Sequence, residues 1–361
     1  MLLTASPSGC RPAAQDPSHR YAAGPLPLTK PRAATGPGGR GRQTQNSKSM
    51  MKIVFLDAAT LGETPLDEIA EQGELVCYPF STPEEALERV GDCDVLIVNK
   101  VRVNEALLAR APKLKLICEA ATGVNNIDLK AAEARGIPVK NAAGYSTEAV
   151  VQSTFAHLLS LAGFSPYFDD CVKSGRYSAG RIFCDISHPY PELARKTLGI
   201  IGMGTIGTRV AAVASAFGME VIYFSTSGTS HNTDYTSVPL DELLERSDVV
   251  SVHAPLNERT KGLIGTAELR KMRPSAFLLN LGRGGIVDEA ALAAAVDAGV
   301  IAGAALDVYV TEPLPADSPL LHVQHPERFR FTPHTAWASR EALLRLVHQV
   351  AENIRGTVLD C

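Results

Sequence analysis

A glycine-rich turn between an apolar run and a helix-forming segment constrains the fold of this chain more than any other feature. The stretch LGIIGMGTIGTRV contains Gly202, Gly204 and Gly207 in a GxGxxG pattern. In such a turn the first glycine permits the sharp bend, the second lets the backbone approach a pyrophosphate, and the third lets the helix pack closely on the strand. The strand–turn–helix–strand context predicts a dinucleotide-binding unit, with Thr205 and Ile206 at the phosphate-binding end of the helix. A turn without a ligand is the alternative.

Short apolar runs alternate with helix-forming segments from Met51 onward. Four runs before the glycine motif predict strands at 52–56, 94–98, 115–118 and 137–140. Five runs from the motif onward predict strands at 198–201, 221–224, 249–253, 276–279 and 303–307. Such alternation is typical of parallel sheets that carry helices on both faces. We therefore predict an α/β fold with two doubly wound parallel sheets.

Helix signals support this alternation at three places. Thr82 followed by Pro83 is typical of a cap and a first helical residue. The segment 147–161 predicts a long connecting helix whose apolar face includes Val150, Phe155 and Leu158. The segment 340–355 predicts a final helix with one buried stripe, formed by Leu343, Val347, Val350 and Ile354.

Composition excludes several classes of protein. The 361 residues are enough for two domains, and the formal net charge of −4 gives no bulk attraction to nucleic acid or to an anionic membrane. No apolar run approaches the roughly 18 residues that span a bilayer. The seven cysteines form no CxxC pair and show no metal-ligand spacing with histidine. We therefore expect reduced thiols, no bound metal and a cytoplasmic location.

Residues 1–50 differ in composition from the rest of the chain. They are rich in Pro, Gly, Arg and Ser and lack an apolar period, so they are predicted to be a disordered tail. Because Met50 and Met51 precede the first predicted strand, a non-native extension from an upstream start is the favoured interpretation. An organelle transit peptide is the alternative, since the segment is basic and poor in acids.

Three polar residues follow predicted strands or stand in the loops after them. Arg283 lies in LLNLGRGG, Glu312 in ALDVYVTEPLP and His334 in FRFTPHTAWAS. Loops beyond the carboxyl ends of parallel strands bind the ligand in open α/β sheets. Arginine binds a carboxylate with two hydrogen bonds, histidine exchanges a proton near neutral pH, and a neighbouring carboxylate favours imidazolium. Each residue alone could be an ordinary loop residue, but together they favour an oxidoreductase acting on a carboxylic acid.

The position that usually selects the cofactor is atypical. An acid about 20 residues beyond the glycines binds the ribose of NAD, whereas a nearby arginine accepts the 2′-phosphate of NADP. Ser225 occupies this position, and its loop contains no Arg or Lys; His231 is the only group that could become positive. We therefore expect NAD and NADP to be used with comparable efficiency.

The chain from about residue 51 onward resembles the D-isomer-specific 2-hydroxyacid dehydrogenases. The resemblance rests on ATGVNNID, NAAGYSTEAV, ELARKTLGIIGMGTIG, HAPLNERTKGLI, NLGRGGIVDEAAL, GAALDVYVTEPLP and TPHTAWASREA, in this order. It implies hydride transfer between NAD(P)H and C2 of a small 2-keto or 2-hydroxy acid. Gln152 and Trp337 look most like the glycerate dehydrogenase or hydroxypyruvate reductase branch, which favours hydroxypyruvate or glyoxylate as substrate.

The resemblance also assigns roles to individual residues. Arg283 would bind the substrate carboxylate, His334 would be the acid and base, and Glu312 would pair with it. The backbone of Thr122, Gly123 and Val124 would also hold the carboxylate, although Asn125 replaces the commoner Asp in this loop. The resemblance further implies that the cofactor is bound by residues of the later motifs, which are His253, Pro255, Leu281, Arg283, Asp307 and His334.

The same resemblance implies an inserted-domain architecture. A flavodoxin-like substrate domain would use residues 51–148 and 337–361, and a Rossmann cofactor domain would occupy 149–336. The long, irregular segment 162–192 would embrace a second subunit in a homodimer. Two rivals are a dinucleotide-sensing corepressor on this fold and a formate dehydrogenase. The second has Gln where this chain has Glu312.

Overall fold

The computed structural model describes residues 50–229 and 232–358. The predictions for residues 1–49 and for His231 lie outside these residues. The described chain contains two parallel sheets with helices on both faces, as the alternation of strands and helices predicts. No helix in these two ranges is both long enough and apolar enough to cross a membrane.

Five parallel strands form the first sheet. They are β1 (Lys52–Phe55), β2 (Glu74–Cys77), β3 (Val95–Val98), β4 (Leu116–Glu119) and β5 (Val139–Asn141). They are joined by α1 (Asp67–Ala70), α2 (Pro83–Arg89), α3 (Glu105–Arg110) and α4 (Leu129–Ala134). The order β2-β1-β3-β4-β5 is that of a flavodoxin-like sheet. The cap at Thr82 is confirmed, since its side chain accepts a hydrogen bond from the Glu85 backbone N–H.

Two helices lie between the sheets in the sequence. Helix α5 (Thr147–Ala162) buries its predicted apolar face in the core of the second sheet. Helix α6 (Ser165–Lys173) follows it directly. The prediction that 162–192 is irregular is therefore wrong over its first third. Pro166 in the first turn and the Asp169–Lys173 ion pair, four residues apart, both favour this helix.

Seven parallel strands form the second sheet. They are β6 (Thr197–Ile201), β7 (Glu220–Phe224), β8 (Thr236–Ser237), β9 (Val249–Val252), β10 (Phe277–Asn280), β11 (Gly303–Leu306) and β12 (Phe329–Phe331). The connecting helices are α7 (Thr205–Ala216), α8 (Leu240–Arg246), α9 (Thr266–Leu269) and α10 (Glu289–Asp297). The order β12-β11-β10-β9-β6-β7-β8 reverses its direction of growth between β6 and β9. Such a switch point opens a crevice at the carboxyl ends of the strands.

The final helix, α11 (Arg340–Val358), returns to the first sheet. Val347, Val350 and Ile354 are buried against this sheet, as predicted. Leu343 packs against the same core but is only half-buried, so the predicted stripe is confirmed at three of its four positions. The small residues Ala342 and Ala351, which the predicted stripe did not include, are also buried in this interface.

Three strands were missed by the apolar pattern. β2 is only half-buried, β8 has two exposed residues, and β12 contains Arg330. All three lie at sheet edges or next to them. Edge strands need no continuous apolar run because neighbouring strands and helices cover them less completely. The strand predicted at 137–140 also begins later, at Val139.

A buried carboxyl group stands at the end of β4. Glu119 is fully buried, and its Oε2 accepts a hydrogen bond of 2.9 Å from the Asn126 side chain. Its Oε1 has no partner among the described residues. Burial raises the pKa of Glu119 to about 8, and the nearby Asp57 adds to the effect. We infer that Glu119 carries a proton at neutral pH.

We expect Glu119→Gln to remove a pH dependence of folding stability. A carboxyl whose pKa is raised in the folded state stabilises the fold below its ordinary pKa, and this contribution is lost as pH rises towards about 8. The variant should melt like the parent near pH 5 and a few degrees above it near pH 9. Glu88→Gln, at an exposed position of α2, controls for the lost charge. Parallel melting curves for the parent and Glu119→Gln across this pH range would contradict the assignment.

Candidate active site

The loops after β11 and β12 bring His334 and Glu312 together. Nδ1 of His334 lies 2.7 Å from Oε2 of Glu312. The other oxygen of Glu312 accepts a hydrogen bond of 3.0 Å from the Tyr309 backbone N–H. Burial alone would raise the pKa of Glu312, but the hydrogen bonds from His334 and Tyr309 outweigh it and lower this pKa. The carboxylate therefore stays ionised beside the imidazole.

The backbone around His334 is held in a specific conformation. His334 has a φ of 54°, which is unusual for a residue with a side chain. Its carbonyl accepts a hydrogen bond of 2.8 Å from Nε1 of Trp337. The carboxylate of Asp307 accepts hydrogen bonds from the side chain of Thr332 and from the backbone N–H groups of Thr335 and Ala336. These contacts over-determine the loop and hold the imidazole in place.

Arg283 reaches from the second sheet to the loop after β4. A Cβ placed on Gly123 would lie 2.6 Å from Nη2 of Arg283. The missing side chain of Gly123 is therefore what allows the guanidinium to meet the loop at Thr122–Val124. The same guanidinium donates to the Gly282 carbonyl at 2.8 Å, and Thr122 donates to the Ala142 carbonyl at 2.9 Å. These hydrogen bonds hold both the Arg283 side chain and the loop of Thr122 in place.

These side chains surround a cavity of about 300 Å³. Its walls contain eight of the residues predicted from the sequence, namely Thr122, Ile206, His253, Pro255, Leu281, Arg283, Asp307 and His334. The other walls are Asn99, Lys100, Ala121, Asn125, Tyr145, Ser146, Val150, Ala254, Leu256, Gly282, Ala336 and Trp337. Of the remaining predicted residues, Gly204 and Thr205 line a separate hollow beside α7. Gly123, Val124, Gly202, Gly207, Ser225 and Glu312 line neither.

The glycine motif has the space that a dinucleotide needs. A Cβ on Gly202 would lie 2.9 Å from the Ala254 backbone, and one on Gly207 would lie 2.3 Å from the Gly202 carbonyl oxygen. A Cβ on Gly204 would instead enter open space, where no atom lies within 4 Å. Helix α7 begins immediately after Gly204 and has no side-chain cap. Its first N–H groups are therefore available to an anion.

His253 adds a second sign of a ligand site. Its Nε2 lies 2.8 Å from the Ser251 hydroxyl, whereas its buried Nδ1 has no partner in the described part of the chain. Burial lowers the pKa of His253 to about 4, so the ring is neutral. A buried polar atom without a partner is costly unless a ligand binds it. Together with the glycine turn, this side chain fits the predicted dinucleotide.

Comparison with known proteins identifies the family. Residues 155–336 match the family described as "D-isomer specific 2-hydroxyacid dehydrogenase, NAD binding domain". Glycerate dehydrogenase of Methylorubrum extorquens is 37% identical over 85% of this chain and 96% of its own length. Glyoxylate reductase of Korarchaeum cryptofilum is 38% identical over 81% of this chain and 89% of its own length. This chain belongs to the D-isomer-specific 2-hydroxyacid dehydrogenase family.

A solved structure agrees with this assignment. The NADPH-dependent glyoxylate/hydroxypyruvate reductase of Sinorhizobium meliloti, in complex with NADP and malonate, is similar with a TM-score of 0.72 and 27% identity. The match covers 85% of this chain and 93% of that protein. As a member of the family, the chain is an oxidoreductase that uses a nicotinamide dinucleotide. Within the two described ranges, no group of three His, Cys, Asp or Glu side chains could hold a metal.

Three side chains near the site of this dehydrogenase were not singled out from the sequence. Asn99 and Lys100 follow β3 and line the cavity, so the strand-end rule could have found them. Arg259 follows β9, and its guanidinium contacts the turn that contains Ser225. Only the folded arrangement of the two loops reveals this contact.

We expect Glu312→Gln to change the pH dependence of keto-acid reduction. Without the carboxylate the ring of His334 loses the partner that favours its charged form, so the alkaline limb of kcat/KM should move towards acid. Glu341→Gln, at an exposed position in the first turn of α11, is the matched control. If the two variants gave the same profile as the parent, Glu312 would not act on His334.

Proposed function

We propose that this dehydrogenase reduces small, polar 2-keto acids, with hydroxypyruvate or glyoxylate as the favoured substrate class. One observation carries the proposal: Arg283 and His334 line a single cavity together with Ile206 of the glycine turn, and Glu312 contacts His334 from outside the cavity wall. When bound, the nicotinamide supplies the hydride that C2 of the keto acid gains. The chain itself must hold the carboxylate, orient the carbonyl and deliver one proton.

His334 is suited to the proton transfer. Its Nδ1 is engaged by Glu312, which leaves Nε2 as the nitrogen that can meet a substrate. In reduction, the imidazolium gives its proton to the carbonyl oxygen as that oxygen gains negative charge. In oxidation, the neutral ring takes the proton back from the hydroxyl. Glu312 favours the charged ring and fixes its orientation, so it acts as a positioning residue.

Arg283 is suited to binding the carboxylate. Its guanidinium lies at the loop of Thr122–Val124, so the substrate carboxylate can meet a fork of N–H donors beside that loop. Arg283 is thereby placed where a loop of the first sheet and a loop of the second sheet would share one ligand. The same charge polarises the neighbouring carbonyl.

Small and polar substrates fit the remaining walls of the cavity. Its volume, about 300 Å³, would be shared by the nicotinamide and the substrate, which favours a small acid. Asn99 and Lys100 add polar groups, and the Lys100 ammonium group forms no hydrogen bond or ion pair with any residue in the described ranges. Trp337 lines the cavity, packs edge-on against Tyr145 at 6.2 Å and donates to the His334 carbonyl. It therefore both narrows the cavity and fixes the loop of His334.

The corepressor alternative gains no support. The relatives and the solved structure described above are named as a dehydrogenase and as reductases. The formate dehydrogenase alternative is disfavoured because Glu312, not Gln, pairs with His334. A complete acid–base pair beside a carboxylate-binding arginine is what turnover of a 2-keto acid requires.

We also propose a cytoplasmic homodimer. The part of the 162–192 segment that follows α6 exposes Ile182, Phe183 and Ile186 to 71%, 89% and 79%. Neighbouring exposed apolar side chains of this size are typical of a protein interface. A second copy of the chain is the partner that the family resemblance implies.

A keto-acid panel tests the proposed reaction. Hydroxypyruvate, glyoxylate, pyruvate and a longer keto acid are compared by loss of NAD(P)H absorbance. We expect kcat/KM to be highest for hydroxypyruvate or glyoxylate, and His334→Gln to lower kcat roughly 10²-fold or more. The His334→Gln protein should still bind cofactor and melt normally. Full turnover by this variant, or no turnover of any acid by the parent, would refute the proposal.

Two cations at one cavity should have separable effects on the panel. Because Arg283 acts on the carboxylate that all the acids share, Arg283→Lys should lower kcat/KM for every acid by more than about tenfold, roughly 1.4 kcal/mol.

Lys100→Met should lower kcat/KM for hydroxypyruvate several-fold more than for pyruvate, which lacks a C3 hydroxyl. Equal losses for both acids in Lys100→Met would show that Lys100 does not read the C3 substituent.

A further inference from the structure

The turn after β7 is rich in hydroxyl groups. Ser225 stands where an NAD-selecting acid would be, and its Oγ donates to the Thr229 carbonyl at 2.7 Å. Its Oγ also lies 3.2 Å from the hydroxyl of Ser227. The hydroxyl of Ser227 also donates to the Thr229 carbonyl, so both hydroxyl groups would have to rotate in order to donate to a phosphate. They are nevertheless neutral where a carboxylate would repel a 2′-phosphate. Hydroxyl groups alone, however, provide no positive charge to attract one.

Arg259 brings that charge from another loop. Its Nη1 donates a hydrogen bond of 2.7 Å to the Ser227 carbonyl, across 32 residues of sequence. A Cβ on Gly228 would lie 3.3 Å from the same nitrogen. The guanidinium therefore lies against the turn, and one N–H contact leaves most of its donors free for another acceptor.

The loop that holds Arg259 is fixed. Thr260 is fully buried, and its hydroxyl donates to the Pro255 carbonyl at 2.6 Å. The Arg259 backbone N–H donates to the Asn257 side chain at 2.9 Å. Since Pro255 lines the cavity of Arg283 and His334, this loop runs from that cavity to the turn of Ser225. The position of the guanidinium is thus set by the same loop that borders the dinucleotide site.

The Arg259 guanidinium is not neutralised by an acidic side chain in the described part of the chain. Among the described residues, no carboxylate forms an ion pair with Arg259, although Glu258 is its neighbour in sequence. Arg209 of α7, by contrast, is engaged by Glu148 at 3.0 Å. An exposed guanidinium without an acidic partner is suited to a phosphate.

We propose that Arg259, with the hydroxyl groups of Ser225 and Ser227, binds the 2′-phosphate of NADP(H) and makes NADPH the preferred cofactor. The inference rests on the dinucleotide site of the proposed function, but not on the choice of keto acid. It replaces the expectation of comparable NAD and NADP use, which considered only charges within the turn itself. Arg259 is a specificity-determining residue and takes no part in hydride or proton transfer.

Binding of nucleotide fragments tests the proposal without turnover. The probes are 2′,5′-ADP, which carries the 2′-phosphate, and 5′-ADP, which lacks it; both are titrated calorimetrically into the full chain. We expect the parent to bind 2′,5′-ADP at least about tenfold more tightly than 5′-ADP. Arg259→Gln should lose most of this difference while its affinity for 5′-ADP stays within about twofold. Ser225→Asp should also weaken binding of 2′,5′-ADP, because a carboxylate repels the phosphate.

Matched controls separate this site from general charge effects. Arg270→Gln removes an exposed arginine at the end of α9, a helix that connects strands of the second sheet. This variant should retain the full preference for 2′,5′-ADP over 5′-ADP. Arg259→Lys keeps a charge and should retain part of it. Equal affinity of the parent for the two probes, or an unchanged preference in Arg259→Gln, would overturn the proposal. If the parent bound neither probe, the dinucleotide site itself would be refuted, whichever keto acid the enzyme reduces.

Discussion

The buried carboxylate of Asp307 holds together the part of the molecule on which the site depends. It directly follows β11 and accepts hydrogen bonds from Thr332, Thr335 and Ala336, which lie in the loop after β12. Burying a carboxylate is costly unless several donors satisfy it. Because these donors come from the loop of His334, a movement of this loop would leave the buried Asp307 carboxylate without its hydrogen-bond donors. The hydroxyl of Thr332 also lies 3.1 Å from Nε2 of His157, so α5 belongs to the same network.

The site also depends on contributions from both sheets. Each sheet ends in loops at the edge of a common cleft, and neither sheet alone contains a complete site. Arg283 comes from the second sheet, whereas the loop that it meets at Gly123 comes from the first. In the proposed reaction, a substrate carboxylate between them would contact a loop from each sheet. Such a contact would favour exclusion of water once substrate and cofactor are both bound.

Two carboxyl groups show how neighbours decide charge. Glu119 is fully buried and the Glu312 side chain keeps 32% of its accessible surface, and their pKa values move in opposite directions. Glu312 has an imidazole and a backbone N–H as partners, so its charged form is favoured. Glu119 has only the amide of Asn126 and lies near a second carboxyl, Asp57, so its neutral form is favoured. The first arrangement can tune a proton donor, and the second supports the loop that Arg283 meets.

Local spacing along the chain is enough to predict much of the fold. Apolar runs predicted nine of the twelve strands that the structure describes, helix signals predicted a few of the helices, and the glycine turn predicted the dinucleotide fold. The strand-end rule pointed to Arg283, Glu312 and His334. Contacts between loops that are distant in sequence became visible only in the folded chain. It placed Arg259 on the turn of Ser225, Lys100 in the cavity wall and Gly123 beneath a guanidinium. The physical reason is that periodicity reports which face of an element is buried, whereas the meeting of two loops depends on how their strands are ordered in the sheet and how far each side chain reaches across it.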